Sequence, residues 1–329
     1  MTDNWDLAGH NWAVDMLRRH VANGEARHAY LFAGPPGIGR RTLALHFAQA
    51  LNCTEPPAPG EFCGKCRDCR QIAAMQHPDL DVIQKDPDAR DLKVDQVRAV
   101  QHALSLKPYQ SRYRVALFLR FEEANPNASN ALLKTLEEAP AHAVLLLTAG
   151  TPEQLLPTIV SRCEVLRLRP SKVEEVQEML ASRGVEAGRA SLLAQISGGR
   201  PGYASRLTTD ESLLHTRSER LNDLQSLLKS TRVQKFSYAD KLSKDKDAMR
   251  QALLFWLSFW RDVLLKASKA ASPITNVDCM DQIDVLAGKL NLASARKIVS
   301  ELELALRRLE SNVNPRLLAE VLLLDWPRI

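Results

Sequence analysis

Short apolar runs alternate with helical stretches through the first half of the chain. Residues 30–33, 81–83, 115–119, 143–148 and 164–168 predict strands, and the segments between them carry apolar positions at helical spacing. Strand and helix alternating in this way predict a parallel sheet with helices on both faces. After Pro170 the pattern changes, and no strand is predicted from there to residue 329. Residues 171–183, 189–196 and 201–207 predict three short helices, with Gly198-Gly199 as a stop signal. From about residue 212 the helices lengthen, as at 247–266 and 294–310, and Ser311-Asn-Val-Asn-Pro315 breaks the last two. No internal repeat is visible, and the one loop-like cluster is the Pro- and Gly-rich 54–62. The expected fold class is α/β followed by all-α.

Composition narrows this picture without changing it. The 329 residues suggest two or three domains at about 150 residues each. Hydrophobic residues at 45% and charged residues at 25% are ordinary for a globular protein and argue against disorder. The net charge of +5 is too small to diagnose a nucleic-acid binder. The start, Met1-Thr-Asp-Asn-Trp-Asp6, is acidic and polar, unlike a targeting segment, and no apolar run approaches about 18 residues. A soluble, cytoplasmic protein without membrane contact is expected.

Six cysteines are too few for a disulfide scaffold in a chain this long. Four of them, Cys53, Cys63, Cys66 and Cys69, are spaced C-x9-C-x2-C-x2-C. Four thiolates at such spacing can close a tetrahedral shell around zinc, leaving no open position, so the site is expected to be structural and not hydrolytic. Lys65, Arg67 and Arg70 would offset the net −2 of a Zn(Cys)4 centre. The alternative is four unrelated thiols in a reducing compartment. Cys163 and Cys279 have no close partners and are expected to be core thiols.

The first strand runs into Gly34-Pro-Pro-Gly-Ile-Gly-Arg-Arg-Thr42, which then opens a helix. Strand, glycine-rich loop and helix N-terminus together make a phosphate cradle. Gly34, Gly37 and Gly39 keep its shape. Against the template G-x-x-x-x-G-K-[ST], however, Arg40 takes the lysine position and Arg41 the Mg2+-binding hydroxyl position, with Thr42 one place late. Arginine can contact a phosphate as a fork, but Arg41 cannot coordinate Mg2+. The expected acidic strand end is also missing, because Leu119 and Arg120 stand where carboxylates are needed. Glu122 and Glu123 follow, and are expected as solvent-exposed acids at the start of the next helix.

Downstream come Asn130-Ala-Leu-Leu-Lys-Thr-Leu-Glu-Glu138, then Leu145-Leu-Leu-Thr-Ala-Gly-Thr-Pro152, then Ser161-Arg-Cys163. In this order, with the cradle and the cysteine insert, residues from about 27 to 207 resemble the bacterial clamp-loader subunits of the AAA+ class. The resemblance implies a P-loop NTPase-like (AAA+, RecA-like) sheet domain over 1–168 with the zinc module at 53–69. A small helical lid over 169–207 and a helical collar for oligomerisation over 208–329 would follow. ATP-hydrolysing members carry the loop lysine, the acidic strand end, a polar γ-phosphate sensor where this chain has Ala149-Gly150, and an arginine where it has Pro201, beside Arg200. These departures imply a catalytically silent member that does not hydrolyse ATP. The resemblance also implies a place in the DNA-directed DNA polymerase (nucleotidyltransferase) holoenzyme. Arg162 of the Ser-Arg-Cys segment is implied to act in trans, in a neighbouring subunit's ATP site. The implied partners are gamma/tau motor subunits and a delta subunit in a hetero-pentamer, with the sliding clamp and primed DNA reached through the complex.

The helix over 130–138 is expected to pack through Leu132, Leu133 and Leu136, with Lys134 and Glu138 as an i,i+4 pair. Trp256, Trp260, Phe255, Phe259 and Trp326 are expected mostly in a helical core. Two other functions remain open on the residues alone. One is an active ATPase using Arg40 and Thr42 with displaced acids Glu122 or Glu123. The other is a zinc-dependent DNA-binding module using Lys65, Arg67 and Arg70.

Overall fold

The computed structural model describes Trp5, residues 7–311 and residues 313–328. The polar start at Met1–Asn4 and Asp6, and Asn312 of the predicted helix break, lie outside the described residues. The chain divides into two compact units: Met1–Met179 with Gly199–Tyr203, and Leu180–Gly198 with Ala204–Ile329.

In the first unit the elements follow as α1 (Asn11–Ala22), β1 (Ala29–Ala33), α2 (Arg40–Asn52), α3 (Arg67–Ala73), β2 (Leu80–Ile83), α4 (Val94–Ser105) and β3 (Arg114–Phe118). They continue as α5 (Pro126–Glu137), β4 (Ala143–Ala149), α6 (Pro157–Val160), β5 (Glu164–Arg167) and most of α7 (Val173–Ser182). The five strands are all parallel, in the order β2-β3-β4-β1-β5. Each was legible in the sequence to within a residue or so at either end.

The central strands β1 and β4 are buried along their whole length, as expected of a sheet covered on both faces. Alternation sends Tyr30, Phe32, Val115, Leu117, Val144 and Leu146 to one face, where α1, α2 and α3 pack. Leu31, Ala116, Phe118, Leu145 and Leu147 face the other side, against α4, α5 and α6. α5 starts where its sequence says it must: Pro126 sits in the first turn, and the Asn125 side chain accepts a hydrogen bond from the Ala128 N–H.

Two expectations for α5 are corrected in part. Leu132 and Leu136 are buried while Leu133 only borders the core. The Lys134–Glu138 pair does not form among the described residues. Glu138 has left the helix as its C-cap, and the acid that finds a partner is Glu137.

The second unit is helical among its described residues. α8 (Ala187–Ile196) and the latter part of α9 (Pro201–Thr209) precede α10 (Glu211–Lys229), α11 (Arg232–Leu242), α12 (Lys246–Ala267), α13 (Met280–Lys289), α14 (Leu292–Glu310) and α15 (Pro315–Leu324). Trp256, Phe259, Trp260 and Trp326 are buried, with Trp326 packed edge-on against both other indoles at 5.0 and 6.2 Å. Phe255 borders that core. The core also encloses paired polar groups: Arg217 pairs with Asp278 at 2.6 Å, and Asp262 Oδ2 accepts the N–H groups of Thr275 and Asn276. No helix among the described residues is long and apolar enough to cross a membrane.

Candidate functional site

The glycine-rich loop leaves the C-terminal end of β1, the edge at which parallel α/β sheets bind ligands. Gly37 and Gly39 have φ of +81° and +108°, a region that side chains disfavour. Gly34 is held for a different reason: a Cβ there would stand 2.7 Å from the Leu168 carbonyl oxygen. The cradle shape read from the sequence is therefore present, and α2 begins at Arg40, earlier than its apolar positions indicated. Arg40, Arg41 and Thr42 form its first turn with no acid among them, so two cations sit against the positive end of the helix dipole.

The loop is not open on every side. The Tyr203 N–H donates to the Gly37 carbonyl at 3.1 Å, and a Cβ on Gly37 would meet the Tyr203 Cβ at 2.8 Å. The Arg200 guanidinium lies 4.6 Å from the centre of the Tyr203 ring.

The acids after β3 correct the sequence reading. They do not open a helix in solvent. Arg120 takes a left-handed conformation (φ +53°), its N–H donating to the Thr148 hydroxyl at 2.8 Å, and Phe121–Glu123 form a half-buried 3-10 turn. Burial raises the Glu122 carboxyl above its ordinary range, and burial likewise lowers the Arg40 guanidinium. Each acts on the other's charge, while Arg120 pairs with Glu123 at 3.3 Å. This position of Glu122 is a feature that strand-end alignment alone did not find.

Arg162 lies at the opposite edge of the sheet. It follows α6 and precedes β5, and it lines a cavity of about 440 Å3 with Ala29, Ala143 and Glu164, the first residues of β1, β4 and β5. The length of β1, on the order of 15 Å at ~3.3 Å per residue, separates this edge from the chain's own phosphate loop. The Arg162 Nη2 donates to Glu137 Oε1 at 2.6 Å, and its Nη1 donates to the Thr158 carbonyl at 2.9 Å. Across the same cavity Arg27 pairs with Glu164 at 2.8 Å.

The four cysteines come together as their spacing implied. Their sulfurs all lie within 4.8 Å of one another, and Cys63 and Cys69 are 4.0 Å apart. A tetrahedral site with ~2.3 Å metal–sulfur bonds has edges of about 3.8 Å, so the cluster fits a metal ion. Backbone N–H groups already point at the sulfurs, from Cys63 to Cys53, from Lys65 and Cys66 to Cys63, and from Cys69 to Cys66. Burial pushes up the Cys69 and Cys53 thiols. At Cys66 burial acts in the same direction but is outweighed by hydrogen bonds involving Cys69 and Thr54, which bring the thiol down to about 6. Cys163 and Cys279 stand apart and half-buried against apolar neighbours, and burial pushes Cys163 up to about 12.

The cysteine module is tied to the sheet by polar residues the sequence did not single out. Asp68 lies between two of the cysteines and meets the fully buried His77 at 3.3 Å. The His77 Nδ1 accepts the Asp79 N–H, which leaves Nε2 to donate toward Asp68. The Asp79 carboxylate accepts three successive N–H groups, from Tyr109, Gln110 and Ser111.

Comparison with known proteins finds relatives over most of the chain. A family described as DNA polymerase III, delta subunit, matches residues 9–172, and its C-terminal counterpart matches residues 211–328. The DNA polymerase III subunit delta' of Pseudomonas aeruginosa is 34% identical over 327 residues, covering 96% of each chain. That of Bacillus subtilis is 29% identical over 316 residues, covering 94% of each. The DNA polymerase III subunit tau of Escherichia coli is 34% identical over 175 residues, 53% of this chain and 27% of that one. With family models over both the sheet unit and the helical C-terminal unit, and a 34% identical relative covering 96% of the chain, the chain belongs to the DNA polymerase III subunit delta' family.

Proposed function

We propose that this chain is a non-catalytic component of the DNA polymerase III clamp loader, acting in the cytoplasm in DNA replication. It joins gamma/tau motor subunits and a delta subunit in a hetero-pentamer that places the sliding clamp on primed DNA. Its own contributions are a rigid scaffold and a trans arginine, Arg162, for a neighbour's ATP site. The sheet domain over 1–168, the lid over 169–207 and the collar over 208–329 are the parts that divide this work.

The observation that carries the reading is the separation of Arg162 from the chain's own loop by the length of the sheet. An arginine at the far edge cannot reach a phosphate bound at Gly34, Gly37, Gly39, Arg40 and Thr42, but it stands on a surface that another subunit can approach. A trans arginine stabilises charge building on the transferred phosphoryl group, an effect of about 10³–10⁵ in rate where it has been measured. The loop itself supports a silent role. Arg40 replaces the lysine, and its charge is already faced by Glu122 from within the chain.

Cys53, Cys63, Cys66 and Cys69 would hold one structural Zn2+, which supplies a cross-link and no reactive position. The −2 of that centre would lower the chain's net charge of +5 to about +3, which disfavours DNA binding by this chain alone.

The test is reconstitution with the other loader subunits. Arg162→Ala should lower clamp-stimulated ATP turnover and leave assembly intact, and unchanged turnover would remove the arginine's role. The half-buried Glu122, which acts on the charge of Arg40, favours one second reading, an ATPase with a variant loop, which ATP turnover by the isolated chain would reveal.

A further inference from the structure

We propose that Glu137 is a positioning residue for Arg162, holding the guanidinium ready for the phosphate of a neighbouring subunit's nucleotide. This rests on the reading of Arg162 as a trans arginine.

Glu137 is the last residue of α5, and Glu138 caps that helix. Acids at a helix C-terminus work against the helix dipole, so α5 gains nothing from Glu137 at this point. Lys134, one turn earlier on the same helix, does not pair with it among the described residues. The carboxylate instead reaches across to Arg162 at 2.6 Å, the short distance of a charge-assisted hydrogen bond.

A second anchor comes from a different element. The Thr158 carbonyl, in α6, accepts from the other terminal nitrogen at 2.9 Å. The guanidinium is thereby fixed by two acceptors on two helices. Of its five N–H donors, these contacts use two and leave three for an incoming anion.

Exposure shows that the pair does not serve the core. The Arg162 side chain is 35% exposed and that of Glu137 51%. Pairs in such surroundings add little to folding. Their effect falls on the freedom of the arginine: a long side chain already held in one place loses less on engaging its target. The distinctive Asn130–Glu138 segment then has two duties. Leu132 and Leu136 fasten the helix to the sheet, and its last residue orients the arginine.

The experiment is a double-mutant cycle on the reconstituted loader. Glu137→Ala is expected to lower kcat for ATP by about 3- to 10-fold with little change in KM, because the arginine acts on transition-state charge more than on nucleotide binding. Glu137→Gln, which keeps an acceptor oxygen, is expected to recover most of the rate. In an Arg162→Ala background, Glu137→Ala should have no further effect. A normal kcat for Glu137→Ala beside a slow Arg162→Ala overturns the positioning role alone. A loss that persists in the Arg162→Ala background also overturns it. If Arg162→Ala itself turns over ATP normally, the reading of Arg162 falls first and this one with it. Gel filtration of each assembled complex confirms that a lost rate is not lost assembly.

Discussion

Asp79→Asn should loosen the loop that follows α4. Asp79 is completely buried, and its two oxygens accept from Tyr109 at 2.6 Å, Gln110 at 2.9 Å and Ser111 at 3.0 Å. Asparagine keeps the shape but has a single acceptor oxygen, so at least one of these N–H groups would face an NH2 group. Hydrogen bonds to a charged acceptor contribute about 1.5–3 kcal/mol and neutral ones about 1 kcal/mol. Losing one bond and weakening the others therefore costs about 3–5 kcal/mol before solvent is considered. The loop amides can rehydrate, because Tyr109 and Gln110 are exposed, which brings the figure to about 2–3 kcal/mol. At 1.36 kcal/mol per tenfold, that is about a 30- to 150-fold loss of hydrogen-exchange protection at residues 109–111.

The wild-type protein should show the same dependence on pH. Burial, the largest single influence on Asp79, raises its carboxyl, but the N–H groups of Tyr109, Gln110 and Ser111 together outweigh it and hold it below its ordinary value. The folded pKa is thus depressed, so the stabilisation is complete above the unfolded value of about 3.9 and is lost as pH falls through the folded one. Urea stability of the sheet unit should accordingly decline below about pH 4, and less steeply in Asp79→Asn. Unchanged protection of the three amides in the variant would refute the reasoning.

Two further outcomes are expected. Purified protein should carry one metal ion per chain by elemental quantitation, and Cys63→Ser should lose it while far-UV circular dichroism keeps most of its helical signal, since α10–α15 form a separate core; full metal occupancy in the variant would remove Cys63 as a ligand. Gly37→Ala places a Cβ 2.8 Å from Tyr203 at φ +81° and should destabilise the sheet unit by about 1–3 kcal/mol, seen as a lower urea midpoint; an unchanged midpoint would show that the loop yields without cost.

What the sequence disclosed and what it hid differ in kind. Strands such as 143–148 were legible because both faces of a central parallel strand are buried, which leaves an unbroken apolar run. The cysteine cluster was legible because its ligands are close in sequence. Glu122 was misplaced because its burial depends on Arg120 turning left-handed at the strand end, which no periodicity encodes. The Asp68–His77–Asp79 network escaped notice for a related reason. Its acceptors reach N–H groups some 30 residues away, and those N–H groups carry no side-chain signature.

The two edges of the sheet show how a loop's backbone can be fixed separately from the side chains it carries. At the C-terminal edge the glycines persist because they are held by geometry: Gly34 against the Leu168 carbonyl, Gly37 against Tyr203. Those contacts constrain the backbone and do not involve the side chains at 40 and 41. At the N-terminal edge the constraint falls on side chains, because Arg162 is held by Glu137 and by the Thr158 carbonyl. If Arg162 serves a neighbour's site, as proposed, then the departures at 40 and 41 and the fixed arginine at the far edge belong to one role.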